Sequence, residues 1–129
     1  LPHSAGDDFA ERSGLDFASC GSQRLVADPS CCAVTTGGYE CLLAALASCS
    51  PARLDEMHGT VEGDAILQDY FVVPLAVGCE VVVVRDERDD AFRNTNYPAV
   101  TETHCSVARL RAAAEATACP RIVVDACHP

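Results

Sequence analysis

Four histidines, at positions 3, 58, 104 and 128, and nine cysteines are the side chains of this 129-residue chain best suited to nucleophilic or metal chemistry. An imidazole can take the proton of a thiol or ligate a metal ion. His104-Cys105 and Cys127-His128 are adjacent pairs. Neighbours along a strand point to opposite faces, so adjacency alone builds no dyad. Metal-binding cysteines usually come in pairs roughly two to four residues apart. No Cys-x-x-Cys occurs among Cys20, Cys31, Cys32, Cys41, Cys49, Cys79, Cys105, Cys119 and Cys127. Carboxylates are dense at Asp86, Glu87, Asp89 and Asp90, but they interleave with Arg85 and Arg88. That pattern reads as a solvated hairpin turn, and the glycine of an EF-hand calcium loop is missing. No phosphate-cradling glycine loop is present. The expectation is a chain that is not an enzyme, with no catalytic residue, no metal and no cofactor.

The cysteines then need another explanation. A reducing compartment would keep them as thiols, whereas an oxidising one makes a disulfide framework the natural reading. The chain is therefore expected to be secreted, extracellular or lumenal. Its start, Leu1-Pro2-His3, carries no basic region followed by an apolar run, so a signal peptide would already have been removed. Nine is odd, so at least one cysteine is free, shared between chains or paired outside this chain. Adjacent Cys31 and Cys32 have Cα atoms about 3.8 Å apart, too close for an ordinary disulfide, so each is expected to pair elsewhere.

Composition excludes several classes. The chain is 49% hydrophobic and 22% charged, too apolar for a disordered tail. Its length suits one core. No apolar run approaches the ~18 residues that span a bilayer, so a membrane span is not expected. The net charge is −10, from nineteen acids against nine arginines with no lysine. Such a chain is a poor partner for nucleic acid. The same charge argues against lipopolysaccharide or other strongly anionic head groups as the main ligand.

The elements that would position any site are short. Residues 1–15 are polar and read as a flexible N-terminal arm, leaving 16–129 as a single domain. Turn signals recur at Asp28-Pro29-Ser30, Thr36-Gly37-Gly38, Ser50-Pro51, Asp86 to Asp90, Asn94 to Pro98 and Cys119-Pro120. Short segments between regular breaks suggest an all-β sandwich or barrel. Met57 to Ala65 alternates with period two, as a half-buried strand does. Four consecutive valines in Cys79 to Val84 favour a strand buried on both faces. Arg121 to Ala126 and Arg24 to Asp28 are further strand candidates. Two segments argue otherwise: Tyr39 to Ser48 and Val107 to Ala118 are rich in helix-forming alanine and leucine. A small disulfide-rich α+β domain, with a helix near 107–117 between strands at 80–85 and 121–126, therefore stays open as the alternative.

The order of local features resembles one family. Asp16-Phe17-Ala18-Ser19-Cys20-Gly21-Ser22 looks like the F-x-D-C-G-S opening of the ML-domain, or lipid-recognition, proteins. Cys32 to Tyr39 is similar to their C-x-(few)-G-x-x-Y segment, and His58 to Gly63 to their V-H-G-x-x-x-G strand. Phe71 to Cys79 resembles their F-P-x-P-x-x-x-G-C turn. Tyr97-Pro98-Ala99-Val100 and Cys119 to Val124 echo the closing strands. The spacings run close to the family's over residues 16–126, with Cys41, Cys49, Cys105 and Cys127 as additions. The resemblance implies a disulfide-stapled, immunoglobulin-like β-sandwich of two antiparallel sheets. It also implies a Cys20–Cys119 bridge and an apolar slot holding a lipid or sterol. Binding residues would then be Tyr39, Leu43, Val61, Phe71, Val73, Val81, Val83 and Tyr97, with Phe71 at the mouth. The alternative function is an extracellular ligand or structural interaction module. It would have a protein partner or be a covalent homodimer joined through the odd cysteine, most readily Cys127.

Overall fold

The computed structural model describes residues 4–25, 37–59, 64–111 and 121–129. Its elements run α1 (Ala5–Ser13), β1 (Ala18–Leu25), α2 (Gly37–Ser48), β2 (Ala52–Gly59), β3 (Ala65–Pro74), β4 (Cys79–Asp86), β5 (Val100–Arg111) and β6 (Arg121–His128). The six strands form one sheet in sequence order. β1 and β2, separated along the chain by α2, pair in parallel; β2 to β6 form an antiparallel meander. The chain is thus rich in β-structure, as its turns and valines imply. The described residues form one sheet with a helix on each face, and the second sheet of the expected sandwich is not among them.

Strict alternation along the central strands supplies both faces. Tyr70, Phe71 and Val72 point alternately to the α2 side, the α1 side and the α2 side, and Val81 and Val82 divide likewise. On the α2 side, Tyr39 and Leu42 pack on Ala52, Leu54, Tyr70, Val72, Val81 and Ile122. On the α1 side, Ala5 and Phe9 pack on Phe71, Val82 and Val84. Phe17 closes this side, its ring centroid 5.0 Å from that of Phe71, while Phe9 lies 4.7 Å from Phe71.

The segment expected as a loose arm contains α1. Ser4 caps it: its Oγ accepts from the Asp7 amide at 3.1 Å, and the Asp7 carboxylate accepts from the Ser4 amide at 3.4 Å. This reciprocal pair satisfies two otherwise orphaned donors. Gly14, at φ 67°, ends the helix in the left-handed conformation that glycine adopts without strain. Tyr39 to Ser48 is helical as its propensity indicates. Val107 to Arg111 instead continues β5, where pairing with β6 overrides the helix preference of alanine and arginine. Met57 to Ala65 is not one strand: β2 ends at Gly59 and β3 starts at Ala65.

Among the described residues, three disulfides staple the sheet. Cys20–Cys41 ties β1 to α2, Cys49–Cys79 ties the end of α2 to the start of β4, and Cys105–Cys127 ties β5 to β6. Cys20 therefore does not bridge to Cys119. Cys127, singled out as the cysteine most readily shared between chains, is bonded within its own chain. Cys31, Cys32 and Cys119 lie outside the described residues. Three intrachain bridges in so short a chain point to an oxidising, extracellular or lumenal environment.

Candidate functional site

Among the described residues, two of the hollows with polar groups beside apolar ones differ in what those groups are doing. The larger, about 530 Å³, lies where the start of α1 meets β1, β2 and β3, and Ser4, Asp7, Arg24, Arg53, Asp55 and Asp69 are among its lining. Arg53 is its hub. The guanidinium meets Asp55 at 2.6 Å, Asp7 at 2.8 Å and Asp69 at 3.4 Å. Burial, followed by the charge of Asp55 and a hydrogen bond to it, pushes the Asp69 carboxyl up to about 8 against the pull of Arg53. Burial also works to raise Asp7, but its bonds to Arg53 and Ser4 leave it below its ordinary value.

A neutral carboxylic acid beside a charged one is the arrangement from which general-acid chemistry is built. Here it is covered. Asp69 is only 4% exposed. A Cβ at Gly6 would lie 1.8 Å from Asp69 Oδ2, so α1 rests directly on the carboxyl. The cluster is thus the seat of α1. The helix is further held by the Ala5 amide donating to Asp86 Oδ2 at 2.9 Å and by Arg12 pairing with Glu102 at 3.0 Å. Asp86, expected in a solvated turn, is buried at this contact, and its bond to Arg88 holds it down at about 2.

Two histidines are similarly engaged. His104 Nδ1 lies 2.7 Å from Glu80 and Nε2 lies 3.0 Å from Glu102, so both ring nitrogens face carboxylates. Donation to Glu80 is the main cause of its raised pKa, with Glu102 adding to it against burial. The His128 ring stacks on it at 5.5 Å. On the α2 side, Glu56 is 2% exposed. It accepts from Tyr39 at 2.5 Å and Gln23 at 2.7 Å, with His58 3.5 Å away. Among the described residues, no group of three His, Cys, Asp or Glu side chains is disposed to hold a metal ion. No described helix is long and apolar enough to cross a membrane.

The smaller hollow, about 450 Å³, lies in the β4–β5 connection, residues 87–99, and its lining includes Asp90, Phe92, Arg93, Asn94, Tyr97 and Pro98. Phe92 is 73% exposed and Tyr97 66%. Exposed rings in a loop are notable when the loop is ordered, and hydrogen bonds cross-brace this one. The Glu87 amide donates to Ala99 O at 2.7 Å, the Asp90 amide to Glu87 O at 3.0 Å and the Tyr97 amide to Asn94 O at 3.2 Å. Asp90 and Asn94 each close an Asx turn, accepting from the Phe92 amide at 3.1 Å and the Asn96 amide at 3.0 Å. Arg93 Nη1 reaches the Tyr97 carbonyl at 3.2 Å, and the Ala91 amide donates to Asp64 in the neighbouring connection at 3.2 Å.

Of the eight residues expected to line one slot, the seven described are dispersed. Tyr39, Leu43, Val81 and Val83 belong to the α2-side core, and Phe71 and Val73 to the α1-side core. Tyr97 is in the exposed loop, and Val61 lies outside the described residues. Phe92 and Arg93 are not among the sequence-predicted site residues, and Asp90 is expected only as part of a solvated turn. The available signal was an aromatic pair, Phe92 and Tyr97, set in an otherwise polar turn-rich stretch. No protein-family model matches this chain, and neither does any curated protein or solved structure.

Proposed function

We propose that this chain is a secreted or lumenal recognition domain that binds its partner through the β4–β5 loop and performs no covalent chemistry. The exposure of Phe92 and Tyr97 within a hydrogen-bonded loop carries the reading. Covering apolar surface releases about 25 cal/mol per Å². A loop already held in place gives up little conformational freedom on binding, so more of that gain becomes affinity. Asp7, Asp69, Asp86 and His104, which could have supplied acid–base chemistry, are engaged in holding α1 and in pairing strands. A lipid or sterol held inside, the reading implied by the ML-domain resemblance, needs a common apolar slot. Its proposed lining is divided between two faces, each packed against a helix, so the geometry favours the interaction module.

A photoreactive benzophenone side chain introduced at position 92 tests this. A matched control carries it at Val77, which is 91% exposed in the β3–β4 turn. In the fluid or matrix from which the protein comes, position 92 should form a discrete adduct and position 77 should not. Equal, diffuse labelling from both positions would overturn the proposal.

A further inference from the structure

We propose that the groove beside Phe92 and Tyr97 takes a neutral carbohydrate, a short stretch of pyranose units. The inference rests on the loop being the recognition surface and names its ligand class. Apolar and polar groups are mixed within it: the rings of Phe92 and Tyr97 and the ring of Pro98 stand beside Asp90, Arg93 and Asn94. Each polar side chain has one part fixed by the loop and another part left over. Asp90 Oδ1 holds the Phe92 amide, leaving Oδ2 as an acceptor. Asn94 Oδ1 holds the Asn96 amide, leaving the Nδ2 group as a donor. Arg93 Nη1 holds the Tyr97 carbonyl, leaving Nε and Nη2 as donors. The groove therefore presents oriented, planar donors and an acceptor next to aromatic faces.

The matching ligand has an apolar face to lie on a ring and edge groups that both donate and accept hydrogen bonds. A pyranose has both: axial C–H groups on its faces and hydroxyls around its rim. Charge narrows the choice. The lining holds two arginines, 85 and 93, and two acids, Glu87 and Asp90, so its formal charge is zero. On a chain of net charge −10, that favours a neutral sugar over a sulfated or uronic one. A proline-rich peptide, the other usual occupant of an aromatic-lined groove, lacks amide protons at its prolines. It would cover Asp90 Oδ2 without giving it a donor, and an unmatched buried acceptor is costly.

The test is a backbone and aromatic NMR titration of the oxidised full chain. The probes are cellotetraose, chitotetraose and mannotetraose, with a heparin tetrasaccharide and a ten-residue proline-rich peptide as comparisons. At least one neutral tetrasaccharide should produce saturable shifts confined to residues 87–99 and the Phe92 and Tyr97 rings. Affinity should fall at least tenfold in F92A/Y97A. It should fall several-fold in Asn94→Asp, which keeps the Asx-turn acceptor but removes the donor. Loop shifts from the peptide or the heparin fragment alone would overturn the neutral-carbohydrate assignment and leave loop recognition standing. Saturable shifts mapping away from the loop would overturn both. No shift with any neutral sugar at millimolar concentration would overturn the carbohydrate assignment.

Discussion

Arg53 and Phe71 are register partners on β2 and β3, and the Arg53 guanidinium carbon lies 5.2 Å from the centre of the Phe71 ring. The pairing couples the sheet to α1 in two ways. The ring is the floor on which Phe9 packs, and the guanidinium is the anchor for Asp7. A cation held on an aromatic face keeps its charge where water is scarce. The guanidinium is thereby positioned to offset the Asp7 and Asp55 carboxylates that converge on it beside the Asp69 acid.

Gly6→Ala should release α1 without unfolding the sheet. The added methyl meets Asp69 Oδ2, which is buried under α1. Hydrogen exchange should show residues 5–13 losing most of their protection while β3 and β4 keep theirs. Arg53→Met should act more globally, leaving Asp69 and Asp55 facing each other without a cation. A loss of about 3 kcal/mol in urea unfolding is expected for breaking such a partly buried pair.

Stability should be greatest in mildly acidic solution. Asp69 is faced by Arg53 and Asp55 from β2 and by Asp7 from α1, and its carboxyl is raised to about 8. The folded chain therefore holds a proton that the unfolded chain releases near pH 4. That stabilisation is complete below the ordinary carboxyl range and is lost as pH rises through about 8. His104, also raised, acts in the same direction: its contribution is present below its ordinary value and lost above its raised one. Asp86 sets the acid limit, its contribution being present above the ordinary range and lost as pH falls through about 2. Urea midpoints measured from pH 3 to 9 should peak near pH 5. In Asp69→Asn the decline above the peak should be markedly flatter, by up to ~1.4 kcal/mol per pH unit.

Much of this arrangement was readable in the residues, and the rest was hidden for physical reasons. The valine run points to β4 because consecutive branched apolar side chains favour a strand covered on both faces. The helix at 37–48 was equally visible, since nothing in Leu42 to Leu46 opposes it. The capping pair Ser4 and Asp7, the ring of Phe9 and the stop at Gly14 could have revealed α1. The short polar segment that contains them looked like an arm because its apolar face is one phenylalanine and an alanine wide. Val107 to Arg111 could not be assigned from within, because the partner that makes it a strand is β6. Disulfide pairing is a property of the three-dimensional neighbourhood, so Cys20 could not announce Cys41. The exposed rings of the β4–β5 loop were legible as composition, but whether the loop was ordered depended on hydrogen bonds between backbone groups.

Tyr39→Phe isolates the polar group that the α2-side core was built around. Glu56 is buried and yet held below its ordinary pKa: burial opposes its charge, and bonds from His58, Tyr39 and Gln23 outweigh it. Removing the phenol hydroxyl leaves the carboxylate one donor short. The expected loss is about 1–3 kcal/mol, read as a lower urea midpoint with unchanged circular dichroism.

Replacing Cys20 and Cys41 together by alanine should lower stability by about 3 kcal/mol, the amount expected for opening a loop of this length. The two residues are 21 apart in sequence. Because the bridge joins β1 to α2, hydrogen exchange should show β1 and α2 losing protection while the β2–β5 meander keeps its own.

Each face of the sheet is already packed against one of the chain's own helices, which leaves recognition to the surface. Native mass spectrometry of the oxidised protein, mixed with excess cholesterol in mild detergent and then desalted, measures this directly. The expected result is the mass of the bare polypeptide. A stoichiometric sterol or phospholipid adduct that survives desalting and disappears on organic extraction would contradict it.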